Sequence, residues 1–278
     1  MTFPTLMVKL ELGRSNAGLL RIAADLADRC HATMIGIAAC QPLRDVISNA
    51  GDCFIAADVI ALDREQIDLE VKAAEAEFRA ALKDHAKAIE WRWAVTFGSL
   101  SGYLALQARC ADLVITGVAS SGWPDTSRYW DTTDLIMQAG RPVLIVPHAA
   151  DKLRLERIVV GWKDTREAKR AVLDALPLLK WATHVAVVEI AAESELASAR
   201  ARLADVVEWL KRHGVAATPI AARSNGADAA ELNEIVQRQG ADLIVAGAYG
   251  HNRVREWALG GVTRDLLLCA DRCSLVSH

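Results

Sequence analysis

The sequence predicts an α/β fold of two tandem domains, each a five-stranded parallel sheet flanked by helices. Three observations carry this. Short apolar runs alternate with longer stretches of helical periodicity along the whole chain. The chain also repeats itself: Ala111-Asp-Leu-Val-Ile-Thr-Gly117 matches Ala241-Asp-Leu-Ile-Val-Ala-Gly247. Three further apolar segments, near residues 6–11, 32–37 and 141–146, have partners near 157–162, 182–187 and 272–276 in the same order. An ordered repeat points to duplication, and β/α alternation buries a parallel sheet on both faces. With 278 residues, 52% of them hydrophobic, and a formal charge of −3, the composition is that of a soluble globular protein of one or two domains.

The elements follow in order. In the first half, strands are expected at 6–11 and 32–37. An irregular stretch follows at 41–61, marked by Pro42, Gly51 and Asp52. A helix is expected over 62–88, then a strand over 91–96. Alternation in that strand puts Trp91 and Trp93 on one face, suited to core packing or an interdomain contact. Strands at 111–117 and 141–146 complete the half. The polar connector 147–154 separates a first domain, 1–150, from a second, 155–278. In the second half, strands are expected at 157–162, 184–190, 216–221, 242–246 and 274–276. A helix over 166–179 carries Ala168, Ala171, Val172, Ala175 and Leu176 on one stripe. Helices over 195–213 and 229–239 are each stopped by a glycine, Gly214 and Gly240.

Several function classes are disfavoured. The charge is nearly balanced, so there is no electrostatic case for nucleic acid or an anionic membrane. No apolar stretch approaches the roughly 18 residues that span a bilayer. Met1-Thr-Phe-Pro-Thr lacks the basic-then-apolar order of a secretory signal, so the cytoplasm is the default expectation. The six cysteines (Cys30, Cys40, Cys53, Cys110, Cys269, Cys273) form no C-x-x-C pair and read as reduced, mostly buried thiols. The seven histidines form no H-x-x-x-H or H-E-x-x-H pair.

The segment with most chemical content is a glycine pattern near the C-terminus. Gly247-Ala-Tyr-Gly250 is followed, nine residues later, by Gly260-Gly261-Val262-Thr263. It sits between an apolar strand and a helical run. Glycines let backbone approach a phosphate, and free N–H groups at a helix start point toward it. The spacing is neither the dinucleotide fingerprint nor Walker A. It resembles the G-x2-G-x9-G-Ser/Thr motif of ATP-binding universal stress proteins, and the resemblance to a tandem member covers the whole chain.

The resemblance implies the adenine nucleotide alpha hydrolase-like fold in each half. It implies ATP, with Mg2+ as a candidate companion, bound at Gly247, Gly250, Gly260, Gly261 and Val262. The family's hydroxyl position holds Gly261 here, with Thr263 two residues later as a candidate replacement. Where the family often has Asp beyond the first strand, the chain reads Gly161-Trp-Lys163-Asp164-Thr165. Lys163 is either a phosphate ligand or a turn residue beside an Asp164 or Thr165 helix cap. Ile190 falls at an apolar, adenine-side position. The first half lacks the motif: Gly117 is followed by a segment containing Gly122 and Pro124, with Asp131 and Asp134 beyond. It reads as a degenerate partner domain. The resemblance also implies that the last strands of the two halves meet across a pseudo-twofold axis, a pseudo-dimer within one chain. A homodimer of such chains is a further option.

The leading expectation is therefore a stress-response regulatory protein binding an adenine nucleotide in its second half, with weak catalysis at most and an unidentified protein partner. One alternative is a nucleotide-free interaction module using the tryptophans and a sheet edge. Another is a slow nucleotidase using Asp164 or His251.

Overall fold

A computed structural model describes residues 2–41, 53–118, 130–248 and 272–278, with backbone alone for 53–58. In the first half, β1 (Thr5–Lys9), α1 (Ala17–Cys30), β2 (Thr33–Cys40), α2 (Cys53–Leu82), β3 (Ala88–Val95), α3 (Leu100–Gln107), β4 (Leu113–Gly117), α4 (Thr132–Ala139) and β5 (Val143–Val146) follow one another. The second half has β6 (Arg157–Gly161), α5 (Arg166–Leu179), β7 (His184–Ala191), α6 (Leu196–Arg212), β8 (Ala217–Arg223), α7 (Asp228–Gln239), β9 (Leu243–Gly247) and β10 (Cys273–Ser277).

Among the described residues, ten strands form one sheet in the order β3-β2-β1-β4-β5-β10-β9-β6-β7-β8. Pairing is parallel within each half. An antiparallel seam joins β5 to β10, with Val143 opposite Val276 and Leu144 opposite Leu275. The terminal strands of the two halves thus meet, as the resemblance implies. The eight inner strands are largely buried on both faces, which explains why they read as apolar runs rather than alternating ones, whereas the outermost strands β3 and β8 are only partly covered. One face carries a continuous core drawn from both halves, including Leu20, Phe78, Leu144, Leu176 and Leu275. The other carries two separate cores, one under α3 and α4 and one under α7.

The repeated Ala-Asp-Leu sequence has a structural explanation. Asp112 Oδ2 accepts the Thr5 backbone N–H at 2.8 Å. Asp242 Oδ2 accepts those of Glu156 and Arg157 at 3.1 and 2.9 Å. Each aspartate clips the start of the neighbouring first strand, satisfying donors that the ladder leaves open. Helix ends also follow the sequence. The Thr165 hydroxyl accepts the Ala168 N–H at 3.3 Å and caps α5, while Asp131 caps α4 by accepting from Thr133 N at 2.7 Å. Gly240 closes α7 with φ 58°. On the α6 side of the sheet, the buried Glu189 carboxylate accepts from Arg202 Nε at 3.1 Å.

Two expectations need correction. The helix expected over 62–88 spans Cys53–Leu82, and the strand after it begins at Ala88. Residues 53–61 are rich in Ala, Ile and Val with little polar alternation, so periodicity could not separate helix from irregular chain there. At the other end, Lys83-Asp-His85 turns the chain, with the Ala86 N–H on Leu82 O at 3.0 Å. The two tryptophans do share a face of β3, but only Trp91 joins the core, packed against Phe78 with ring centroids 5.7 Å apart, whereas Trp93 stays 45% exposed.

Candidate functional site

In an open parallel sheet, ligands bind beyond the carboxyl ends of the strands. In the second half, Gly161 and Gly247 end β6 and β9, and Ile190 is the last residue but one of β7. Strand alternation sorts them. Val159, Ala186, Val188, Ile244 and Ala246 face α7, and so, two residues on, do Gly161 and Ile190. Gly161 presents bare backbone here, and Leu232 packs directly on it: an added Cβ would stand 3.3 Å from Leu232 Cδ2, so a side chain would have to displace it. Half-buried Ile190 packs against the same core. Lys163 lies just past the strand on that side, its Nζ 3.8 Å from Asp228 Oδ2 at the start of α7. Its side chain is 54% exposed, so this ion pair leaves the ammonium accessible.

Gly247 goes the other way. An added Cβ would sit 2.5 Å from Ala168 N and from Glu167 C. Glycine is needed there because the first turn of α5 crosses the end of β9 at van der Waals distance. Gly247→Ala is expected to lower stability by about 1–3 kcal/mol through overpacking against backbone, measured by urea denaturation; an unchanged midpoint would remove the helix contact as its cause. Gly250, Gly260, Gly261, Val262 and Thr263 lie outside the described residues, as does His251. Asp164 does not face this cleft freely. Its Oδ1 is 2.7 Å from Lys169 Nζ, and that hydrogen bond holds its carboxyl below the usual carboxylate range. Thr165, not Asp164, caps the helix.

The first half shows why it differs. Leu6 pairs with Leu113 as Ile158 pairs with Leu243. Since the two Ala-Asp-Leu sequences correspond, Lys9 is the counterpart of Gly161 and Glu11 that of Lys163. This register is one residue away from the one read by matching the strand sequences directly. Lys9 is 5% exposed, and its Nζ lies 4.5 Å from the centroid of the Trp130 ring, a cation–π contact. Burial pushes its pKa down to about 8, against the opposing pull of Glu11. A buried lysine and an indole therefore occupy the position where the second half presents only the bare backbone of Gly161 against Leu232. Sequence reading missed Lys9; its signal was a lone cation inside the apolar run Leu-Met-Val-Lys-Leu. The strand-end turn also differs. Asn16 Oδ1 accepts the Glu11 N–H at 2.8 Å, and Asn16 Nδ2 donates to Glu11 O at 3.0 Å.

Among the described residues no group of His, Cys, Asp and Glu is placed to hold a metal ion, and no helix is long and apolar enough to cross a membrane.

No protein-family model matches the chain, and no curated protein matches it. Solved structures do. A universal stress protein from Archaeoglobus fulgidus DSM 4304 superposes with a TM-score of 0.68 at 14% identity, covering 99% of this chain and 98% of its own. A functionally unknown protein from Pseudomonas aeruginosa PAO1 superposes with a TM-score of 0.63 at 15% identity, covering 99% and 92%. The chain thus has, over its whole length, the fold of a universal stress protein structure.

Proposed function

We propose that the second half binds an adenine nucleotide, ATP with or without Mg2+, beyond the carboxyl ends of β6, β7 and β9. We further propose that the chain serves as a nucleotide-dependent regulatory protein of the stress response. The observation that supports this is the contrast between equivalent positions. Gly161 presents bare backbone beside Ile190 and Leu232, with the accessible Lys163 ammonium just past it, whereas the buried Lys9 and Trp130 occupy the equivalent place in the first half. The stress-response part rests on the fold shared with the archaeal universal stress protein. In this reading Gly250, Gly260, Gly261, Val262 and Thr263 supply the backbone and hydroxyl donors for phosphate.

Calorimetry tests the proposal, together with mass spectrometry of small molecules released from the purified chain. One nucleotide per chain is expected. At about 100 times its dissociation constant, ATP should stabilise the protein by roughly 2.7 kcal/mol. Gly250→Val and Gly260→Val should abolish that shift while leaving the fold intact, because a side chain there blocks close backbone approach. Lys163→Ala should weaken ATP about tenfold or more and adenosine little, since a charge-assisted contact is worth about 1.5–3 kcal/mol. No ATP-induced shift in the wild type would refute nucleotide binding. Two equivalent sites would refute the filled first half.

A further inference from the structure

The two ends of the ten-stranded sheet are built differently. β8, at one end, carries Pro219, which has no N–H to offer a new strand and so blunts the edge. β3, at the other end, has no proline, and among the described residues it has a strand neighbour on one side only. Apolar exposure concentrates at that end. Of nine large hydrophobic side chains exposed among the described residues, four lie on or near β3: Trp93 and Val95 on the strand, Phe97 just after it, and Leu106 on α3, next to Gln107, which bonds Arg92. Phe97 is 82% and Leu106 66% exposed. Scattered exposed hydrophobes are ordinary; a cluster along an unblunted edge marks an interaction surface.

The charge pattern of β3 selects the partner. Its sequence is Ala88-Ile-Glu90-Trp91-Arg92-Trp93-Ala-Val95, with Glu90 and Arg92 on the face opposite Trp91 and Trp93. A second copy related by a twofold axis perpendicular to the sheet would pair β3 with β3 antiparallel, and residues directly opposite must then share a face. Centring the pair on Glu90 or on Arg92 sets like charges against each other. Centring it on Trp91 sets Glu90 opposite Arg92 of the second copy, twice, and Trp93 opposite its Ile89. Opposite charges directly across a ladder stabilise it, and like charges destabilise it. The chain already contains one antiparallel edge-to-edge seam, β5 with β10, so the second seam would lengthen the same sheet in the same manner.

We infer that two copies of this chain associate through antiparallel β3–β3 pairing centred on Trp91, with Glu90 and Arg92 as its register-setting charges and Trp93 as its apolar anchor. The proposal is independent of nucleotide binding. Arg92 at present bonds Glu90 Oε1 at 2.7 Å and Gln107 Oε1 at 3.0 Å, both on its own chain; pairing would let Glu90 bridge to the other copy.

Light scattering on the full-length chain, resolved by gel filtration over a concentration series, tests it. The wild type should run at twice the chain mass. Arg92→Glu, which places glutamates opposite one another, should weaken the dimer roughly tenfold or more. The double reversal Glu90→Arg with Arg92→Glu should restore it, because the pattern about Trp91 is again complementary. Trp93→Lys should weaken the dimer in either background. Circular dichroism confirms that each variant is folded. A monomeric wild type, a dimer indifferent to Arg92→Glu, or a double reversal that fails to restore association would each overturn the inference.

Discussion

Replacing Phe78 with alanine is expected to lower stability by about 3–5 kcal/mol, in the range for a buried aromatic truncation. Phe78 is fully buried on α2 and tilts against Trp91 at 37°. Both rings fit only because β2 has a glycine beneath them: a Cβ on Gly36 would lie 2.8 Å from Phe78 Cε1 and 2.8 Å from Trp91 Cε3. The three residues form one layer fastening α2 to the β2–β3 edge. Truncation leaves a hole that neither the strand backbone nor the flat indole can close. Urea denaturation should show a lower midpoint at unchanged slope. Leu62→Ala, on an exposed turn of the same helix, should stay within about 0.5 kcal/mol of wild type. A loss below about 1 kcal/mol for Phe78→Ala would mean that the helix repacks freely, and that Gly36 is not there to make room.

The Phe78 layer illustrates what sequence alone could and could not convey. Strand positions were legible because strands buried on both faces are nearly continuous apolar runs, and the bounds of α5 were matched outright because Thr165 and a single amphipathic stripe define it. α2 was harder. Its 30 residues span about 45 Å at the usual helical rise, against about 26 Å for the eight residues of β2. Its first turns therefore run beyond the sheet and owe no periodicity to it. The repeated Ala-Asp-Leu was recognised as a repeat, but its purpose, clipping the next strand's first N–H groups, needed the pairing of β4 with β1 and of β9 with β6.

The candidate site was legible in type more than in geometry. Gly161, Lys163 and Ile190 come together on the α7 side because all three follow from strand ends and alternation. Gly247 belongs to the same sequence pattern but faces α5, since it is one residue out of phase with Ala246. A linear glycine pattern does not record which face each glycine serves. Nor could matching strand sequences reveal that Lys9 stands in for Gly161. The two first strands are alike in composition, and only their pairing with Leu113 and Leu243 fixes the register. That single-residue shift turns an unremarked strand lysine into the residue separating the two halves.

Lys9 accordingly carries the last prediction. Its pKa falls from 10.5 to about 8 on folding because burial penalises the ammonium. Between those values the unfolded chain holds a proton that the folded chain has released, so stability rises with pH across the window. Below about 8 both states are charged, and the folded state bears a penalty of about 3 kcal/mol. Lys9→Met keeps the length and fills the same space without charge. At pH 7 it should stabilise the protein by about 1–3 kcal/mol, the penalty less a cation–π contact with Trp130 worth about 0.5–2 kcal/mol. As pH climbs from about 8 to 10.5, the advantage of methionine should shrink by about 3 kcal/mol, because only the wild type gains. Denaturation of both proteins at several pH values across the window measures the difference, from which all other titrating groups cancel. A difference that stays flat would put the ammonium in contact with water. The cleft of the first half would then be open, and the contrast with Gly161 on which the nucleotide proposal rests would fail with it.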